Sequence, residues 1–477
     1  MKKKIFVLIT TTIFLVFFII GFVFIGQTDN RLIFTFKNNI PLGLRVFLKD
    51  NVFFIFSINN DVKKLTSQSK RLNSQIEQLE NQNDYLKNKI YAVSNQINDD
   101  VYILPKILEK KKIVSNNNEV FYLTKYFFHS KAWQYNQKKP SGYLVKESDK
   151  IFTISGDGKL GFFELNKLQN EDHIKLNKIK TNLKGVTNNP SIYEKGKISF
   201  RGMMINENRI YLSYYKKVKD NCFNISILDA SLNLEILRFK EFFTYDECSE
   251  NMSNHTGGKM IKFNQDTFLF TIGDAQQYMN AQSDDSLFGK LIQINYSDKD
   301  YKILAKGMRD TQGGIYNEKD KIVLMTEHGP TGGDEINSLK LTEFDNNENF
   351  GWPIASYGTI DYIIIEENQF FKHKENGFKE PLHWFRGKSV APSQIIYVDS
   401  LDENTERNYF LSAMGNVPYP GRRSIHHLRF DSIYSKLEYS DIIPIGERIR
   451  DIINIENEKK VVMILENSPS LAILEWE

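Results

Sequence analysis

Residues Glu327 to Asn337 (Glu-His-Gly-Pro-Thr-Gly-Gly-Asp-Glu-Ile-Asn) contain several groups that could bind a cation. They follow an apolar run, Lys321 to Met325, which predicts a buried strand. The glycines and the proline then predict a tight loop with outward carbonyl oxygens. With the carboxylates of Asp334 and Glu335, the loop offers the hard oxygen ligands that Ca²⁺ requires. An acidic, glycine-rich turn without a ligand is the simpler interpretation.

A histidine stands at the start of another predicted strand, in the segment Asn254 to Lys259 (Asn-His-Thr-Gly-Gly-Lys). Among side chains, imidazole has the ordinary pKa nearest neutrality, so it can take a proton from a substrate hydroxyl. The two glycines let a substrate approach the backbone closely. A lone loop histidine is also common as polar surface, and both interpretations of His255 stay open on these residues alone.

Arginines occur in two further segments that could bind an anion. Arg309 lies in Gly307 to Gly313 (Gly-Met-Arg-Asp-Thr-Gln-Gly), and Arg448 and Arg450 alternate along a predicted strand. Side chains two residues apart on a strand lie on the same face, so this pair could hold a carboxylate bidentately. The alternative is a solvated strand edge with ion pairs.

Together these segments resemble the glucose/sorbosone dehydrogenase family of quinoprotein sugar dehydrogenases. Glu-His-Gly-Pro, a glycine run, Asp-Glu-Ile-Asn and Phe-Gly-Trp-Pro (350–353) follow one another in the order of the family. The resemblance covers residues 145 to 477. It implies a six-bladed β-propeller that binds pyrroloquinoline quinone (PQQ) and Ca²⁺. The implied reaction is oxidation of an aldose at its anomeric carbon to a lactone.

The resemblance also implies a role for each matching residue. His255 would be the catalytic base. Arg309 and Asp310 would face the quinone, with Arg309 stabilising its reduced form. Arg448 and Arg450 would bind the quinone carboxylates.

For the metal, the resemblance implies that the main-chain oxygens of Gly329 and Pro330 bind a Ca²⁺ shared with the quinone. This ion would act as a Lewis acid. Asp334 and Glu335 would orient the loop or hold a second Ca²⁺.

Three positions depart from the family pattern. Asp310 stands where the family has asparagine, and Ser412 to Gly415 contain no counterpart of its cofactor-binding lysine. The early glutamine expected near Ser199 to Gly202 is missing, and Arg201 is the residue there that could substitute. These departures favour an alternative function, a cofactor-free propeller acting as a carbohydrate-binding or cell-surface interaction module. A Ca²⁺-dependent propeller hydrolase such as a lactonase is a third hypothesis.

The rest of the chain after Asp100 predicts an all-β domain over residues 101–477. Short β-rich runs recur at 120–124, 151–155, 209–214, 267–272, 321–325, 409–412 and 460–465. So many strands exceed one sandwich, which favours a β-propeller, with a pair of sandwiches as the alternative. Hydrophobic residues make up 41% of the 477 residues and charged residues 25%, and a net charge of +3 gives no reason to expect nucleic acid.

The N-terminus predicts a transmembrane anchor over residues 1–27. Lys2 to Lys4 precede an uncharged apolar run, Ile5 to Ile25, which is long enough to cross a bilayer as a helix. No small-residue cleavage site follows, although a cleaved signal peptide is the alternative. The lysines would stay cytoplasmic, which places everything after Gln27 on the periplasmic or extracytoplasmic side. Residues 28–60 form a juxtamembrane segment that the sequence does not define further.

Residues 61–98 predict a coiled-coil stalk. One seam of the heptad repeat contains Val62, Ser69, Ile76, Asn83, Ile90 and Ile97, and the other contains Leu65, Leu72, Leu79, Leu86 and Val93. Mostly β-branched residues in the first seam with leucine in the second favour a parallel dimer, and the polar Asn83 sets the register. A lone amphipathic helix is the alternative.

The only two cysteines, Cys222 and Cys248, could form one disulfide in an oxidising compartment. Sequence alone does not bring their Cα atoms together, so two free thiols stay open.

Overall fold

A computed structural model describes residues 68, 69, 71, 72, 75, 101–128, 133, 141–168, 171–187, 200–250, 254–341, 347–358, 372–386, 389–398, 407–415 and 421–477. The chain divides into two compact units, residues 1–83 and 84–477. The described residues of the first unit are helical. The predicted anchor (1–27) and juxtamembrane segment (28–60) lie outside the described residues, as does most of the predicted stalk (61–98). Within the described part, no helix is both long and apolar enough to cross a bilayer.

Strands dominate the second unit and follow one another as four-stranded antiparallel sheets, here called blades 1 to 6. Blade 1 contains Gly142–Glu147, Lys150–Ser155, Leu160–Glu164 and His173–Lys178, and blade 2 contains Phe200–Asn206, Arg209–Lys219, Cys222–Ser231 and Lys240–Phe243. Blade 3 contains Gly257–Lys262, Thr267–Ile272, Lys290–Asn295 and Tyr301–Lys306, and blade 4 contains Thr311–Asn317, Ile322–Glu327, Glu335–Lys340 and His383–Trp384. Blade 5 contains Pro392–Tyr397, Asn408–Ala413, Ser424–Phe430 and Leu437–Pro444, and blade 6 contains Ile449–Ile455, Lys460–Leu465, Ser470–Trp476 and Val120–Phe127.

The first strand of each blade contacts the first strand of the next blade, from blade 1 to blade 6 and back to blade 1. These strands therefore line a closed ring around a central channel. The protein is a six-bladed β-propeller, which confirms the all-β propeller prediction. The alternative of two sandwich domains is wrong.

Strands from both ends of the domain close the ring. The long strand Val101–Val114 pairs through its first part with His173–Lys178 of blade 1. Its second part pairs with Val120–Phe127, which completes blade 6 by pairing with Ser470–Trp476. Blade 6 thus combines strands from the beginning and the end of the domain, which covers sheet edges that would otherwise be exposed.

The hydrophobic core lies between the blades. Six clusters of buried apolar side chains occur in the described residues, and each joins two neighbouring blades. A blade is covered on both faces, so its second strand is apolar without alternation. Every residue of Lys460–Leu465 and of Asn408–Ala413 is buried.

Cys222 and Cys248 form a disulfide at the outer part of blade 2, with their Cα atoms 5.4 Å apart. The disulfide interpretation of the two cysteines is confirmed. The remaining elements are short: the helix Leu183–Val186, the 3₁₀ turns Leu165–Lys167, Tyr278–Ala281 and Lys374–Asn376, and the strands Lys180–Thr181, Ile236–Leu237 and Glu348–Asn349.

Candidate active site

The predicted site residues come together at one end of the channel because of the strand order. In an antiparallel meander, the start of the first strand and the end of the second strand lie at the same end of the sheet. His255 precedes the first strand of blade 3, and Arg309 and Asp310 precede that of blade 4. Gly329 follows the second strand of blade 4, and Arg450 lies at the start of blade 6.

His255 is held by a buried carboxylate. Its Nδ1 atom lies 2.9 Å from Oδ1 of Asp274, which has no exposed surface. The other oxygen of Asp274 accepts a hydrogen bond from the indole N–H of Trp352, at 2.7 Å. The contact favours the tautomer with the proton on Nδ1, which leaves the Nε2 lone pair as the basic site.

The backbone at His255 is also specialised. Its φ of 53° is in the left-handed region, which few residues other than glycine adopt. The carbonyl of His255 accepts the Ala275 N–H at 2.9 Å, which ties the histidine loop to the residue after Asp274. The sequence analysis assigned no role to Asp274 or Trp352. The short segment Gly-Asp-Ala (273–275), which directly follows a predicted strand, was the signal that could have identified the carboxylate.

Arg309 links the pair formed by His255 and Asp274 to the predicted metal loop. Its Nη1 donates to the carbonyls of His328 and Gly329, at 2.7 and 3.0 Å. Its guanidinium lies 5.2 Å from the Trp352 ring, within the range of a cation–π contact. The side chains of His255 and Arg309 therefore border the same part of the channel, with Trp352 between them.

Asp310, the residue that departs from the family pattern, connects two loops of the site. Its Oδ1 accepts the N–H of Gly257 at 3.1 Å and the amide of Gln312 at 2.7 Å. Its Oδ2 lies 3.6 Å from Nδ1 of His328. Burial raises the pKa of Asp310, but His328, His255 and the Gly257 N–H outweigh it and hold the pKa below its usual value.

Arg448 and Arg450 lie on one face of their strand, and both contact the buried carboxylate of Glu466. The Nε atom of Arg448 lies 2.9 Å from one oxygen of Glu466, and that of Arg450 lies 2.7 Å from the other. Burial raises the pKa of Glu466, but the two guanidinium groups hold it below its usual value. The alternative was a solvated strand edge with ion pairs: the ion pairs are present, but Arg450 is only 6% exposed and therefore not solvated. No sequence motif pointed to Glu466.

The carboxylate of Asp334 orients the predicted metal loop. One of its oxygens accepts the N–H of Gly329 at 3.1 Å, and the other accepts the N–H of Ala391 at 2.7 Å. The carbonyl of Pro330 accepts the Gly333 N–H at 2.8 Å. Each loop carbonyl has a second lone pair, so the observed hydrogen bonds leave both oxygens able to bind a cation.

Glu335 lines a cavity of about 20 Å³ beside that loop, which has room for one water molecule or one ion. Glu327, Asn337 and His373 also line it, and Oδ1 of Asn337 is buried with no hydrogen-bond partner among the described residues. Burial raises the pKa of Glu327 to about 7 and that of Glu335 well above its usual value. In the described residues no three His, Cys, Asp or Glu side chains form a metal cluster. A Ca²⁺ ion at this loop would therefore be bound by a mixture of main-chain carbonyl oxygens and carboxylate oxygens.

The protein is thus a six-bladed propeller with an oriented imidazole and buried arginines at one end of its channel. This arrangement defines a propeller of the sugar-dehydrogenase class. The profile of the family described as Glucose / Sorbosone dehydrogenase matches residues 168–473. The chain belongs to this family, which confirms the resemblance found in the sequence.

Individual relatives are distant. The aldose sugar dehydrogenase YliI of Escherichia coli (strain K12) is 24% identical over 221 residues, which cover 43% of this chain and 58% of that protein. A crystal structure of glucose dehydrogenase matches with a TM-score of 0.58 at 21% identity, covering 70% of this chain and 96% of that one. The PQQ-bound form of an aldose sugar dehydrogenase from Streptomyces coelicolor matches with a TM-score of 0.52 at 13% identity, covering 79% and 98%. At these identities the structural matches show the fold alone.

Proposed function

We propose that the protein is a PQQ-dependent aldose dehydrogenase. The observation that carries the proposal is the unbroken series of contacts from the base to the metal loop. His255 contacts Asp274, Asp274 contacts Trp352, and Trp352 lies against Arg309, which donates to Gly329. A proton acceptor, a fixed cation and outward carbonyl oxygens thus border one space, as oxidation of an alcohol by hydride removal requires.

The chain's own residues could hold both cofactors. Arg309, Arg448 and Arg450 provide guanidinium groups for the carboxylates of PQQ, and Gly329 and Pro330 provide carbonyl oxygens for Ca²⁺. Asp310 lies in the same wall, and Glu335 provides a carboxylate for a second ion. When bound, PQQ supplies a hydride acceptor and Ca²⁺ supplies a Lewis acid.

The proton step then falls to His255. Its Nε2 takes the proton of the anomeric hydroxyl while the carbon gives up its hydride, and the sugar leaves as a lactone. Asp274 stabilises the imidazolium that forms, because its carboxylate lies next to Nδ1. The positive charge of Arg309 stabilises negative charge that develops on the acceptor side.

Reconstitution tests this function. The purified protein is loaded with PQQ and Ca²⁺, cofactor binding is followed by absorbance, and dye reduction is measured with a panel of aldoses. His255→Asn should lower kcat by about 10²- to 10⁴-fold while PQQ still binds. His173→Asn, in the outer strand of blade 1, is the matched control. Absence of PQQ binding by the unsubstituted protein at micromolar concentrations would rule out the proposal.

The second candidate is the cofactor-free propeller that binds carbohydrate. The observations that favour it are the acidic Asp310 and the absence of a basic residue from Ser412 to Gly415. It predicts that a sugar binds with the same affinity whether or not PQQ is present. Calorimetric titration of the apo protein with aldoses distinguishes the two functions.

We also propose that the propeller is anchored to a membrane through residues 1–27, on the extracytoplasmic side, and that residues 61–98 form a dimeric stalk. The apolar run and the heptad repeat support this arrangement. The described residues at 68, 69, 71, 72 and 75 are helical, and Leu72 of the predicted seam is 56% exposed in the single chain. A monomer for residues 28–477 in sedimentation analysis would contradict the dimer.

A further inference from the structure

Arg201 is a cation of the channel wall that stands where the family has a glutamine and that the proposed mechanism does not use. It lies in the first strand of blade 2, and its guanidinium donates to the hydroxyl of Tyr215. The guanidinium carbon also lies 4.8 Å from the centre of the Tyr215 ring. Its Nε atom is buried and has no hydrogen-bond partner among the described residues.

Arg201 is not paired as the arginines of blade 6 are. Arg448 and Arg450 share the carboxylate of Glu466. No described carboxylate lies within salt-bridge distance of Arg201. Because Arg201 is partly exposed to the channel, an anion that enters there could contact its guanidinium directly.

The position of Arg201 places it beside the candidate base. A Cβ atom added to Gly258 would lie 2.5 Å from the Cβ atom of Arg201, so the two chains are in direct contact. Gly258 has a φ of 98° and follows His255 by three residues. Arg450 is close enough to repel the charge of Arg201, and Asp310 and Tyr143 lie in the same electrostatic range.

Guanidinium groups outnumber the carboxylates that contact them here. Arg448 and Arg450 share the carboxylate of Glu466, and Arg201 has none within salt-bridge distance. A planar ligand with several carboxylates could contact several of these guanidinium groups at once. Because a guanidinium binds a carboxylate through a fixed fork, it also sets the orientation of the ligand.

We propose that Arg201 binds a carboxylate of the quinone cofactor. The inference rests on the proposed function, because it assumes that PQQ enters this channel. It goes beyond that function by assigning cofactor recognition in this chain to a residue of blade 2.

Binding of two probes to the apo protein with Ca²⁺ tests the inference. The probes are PQQ and its trimethyl ester, which has the same ring system without the carboxylate charges. Arg201→Gln should weaken PQQ binding by about 10- to 100-fold, since hydrogen bonds to charged groups contribute on that scale. Binding of the ester should change little. Arg238→Gln, at an exposed position of the same blade region, is the control.

Each outcome separates the inference from the function on which it depends. Equal losses for PQQ and the ester, or a lower melting temperature that Arg201→Lys does not restore, would assign Arg201 a structural role. Unchanged or tighter PQQ binding by Arg201→Gln would overturn the inference, while the dehydrogenase proposal would stand. Failure of the unsubstituted protein to bind PQQ would overturn both.

Discussion

At the scale of single residues, the site depends on what holds each side chain. His255 qualifies as a base because Asp274 occupies its Nδ1, and Asp274 is itself held by the Trp352 indole. Asp310 stands where the family has asparagine, and its carboxylate accepts the Gly257 N–H and approaches His328. An acid is therefore accommodated here by donors from two loops.

The role of Asp274 can be tested by Asp274→Asn. The new amide can present its N–H group to Nδ1 of His255, which would favour the wrong tautomer and remove the charge that stabilises the imidazolium. We expect kcat to fall by about 10²- to 10⁴-fold with PQQ affinity nearly unchanged. Asp266→Asn, at an exposed turn, is the control. An unchanged kcat would show that Asp274 has only a structural role.

At the scale of elements, the site residues of a blade lie where its first strand begins and where its second strand ends, because these two points are at the same end of the sheet. In blade 6 the start of the first strand supplies Arg450, the residue just before that strand is Arg448, and the turn after the second strand supplies Glu466. Glu466 also accepts the backbone N–H of Ser141 at 3.3 Å, in front of blade 1. One buried carboxylate thus joins the ends of two blades at the place where the ring closes.

Removing that carboxylate should destabilise the ring. Glu466→Ala leaves two buried guanidinium groups without their shared partner, and we expect the free energy of unfolding to fall by about 3 to 5 kcal/mol. Denaturant titration monitored by tryptophan fluorescence measures the change, and Glu456→Ala, at an exposed position, is the control. A loss no larger than that of the control would mean that solvent or other groups neutralise the arginines.

At the scale of the whole molecule, stability comes from clusters between blades, and buried histidines make it depend on pH. Burial lowers the pKa of His427 and that of His383 to about 4. The unfolded value is about 6.5, so between these limits the unfolded chain binds protons that the folded chain excludes. The buried histidines therefore lower the free energy of unfolding as the pH falls from about 6.5 toward 4, whereas Glu327 and Glu335, whose pKa values are raised, act in the opposite direction.

The size of this effect is set by the number of such histidines. Each histidine of this kind contributes up to about 1.4 kcal/mol per pH unit, so His427→Gln should change the slope by about that amount. The glutamine amide can still donate to Oδ1 of Asn408, which lies 3.0 Å from the imidazole. Unfolding titrations from pH 8 to 4.5 compare the slopes of the two proteins. Identical slopes would contradict the assignment.

The sequence by itself determined the family, the strand-rich class of the fold and the residues at the loop tips. Four candidate site residues stand in short segments that contain glycines and border predicted strands: His255, Arg309, Gly329 and Glu335. These segments are local in sequence, so the chemistry of the residues could be predicted without tertiary contacts. The sequence offered only one pairing of its two cysteines but left two free thiols open, and the structure decided in favour of the disulfide.

Only the tertiary structure decided which groups serve these residues. Trp352 reaches Asp274 across 78 positions of the chain, and Glu466 lies 16 positions after Arg450 in another strand turn. The absence of a described carboxylate within salt-bridge distance of Arg201 is likewise a property of the closed ring. The physical reason is that hydrogen bonds and charge balance depend on distances across neighbouring blades, and closure of the ring sets those distances.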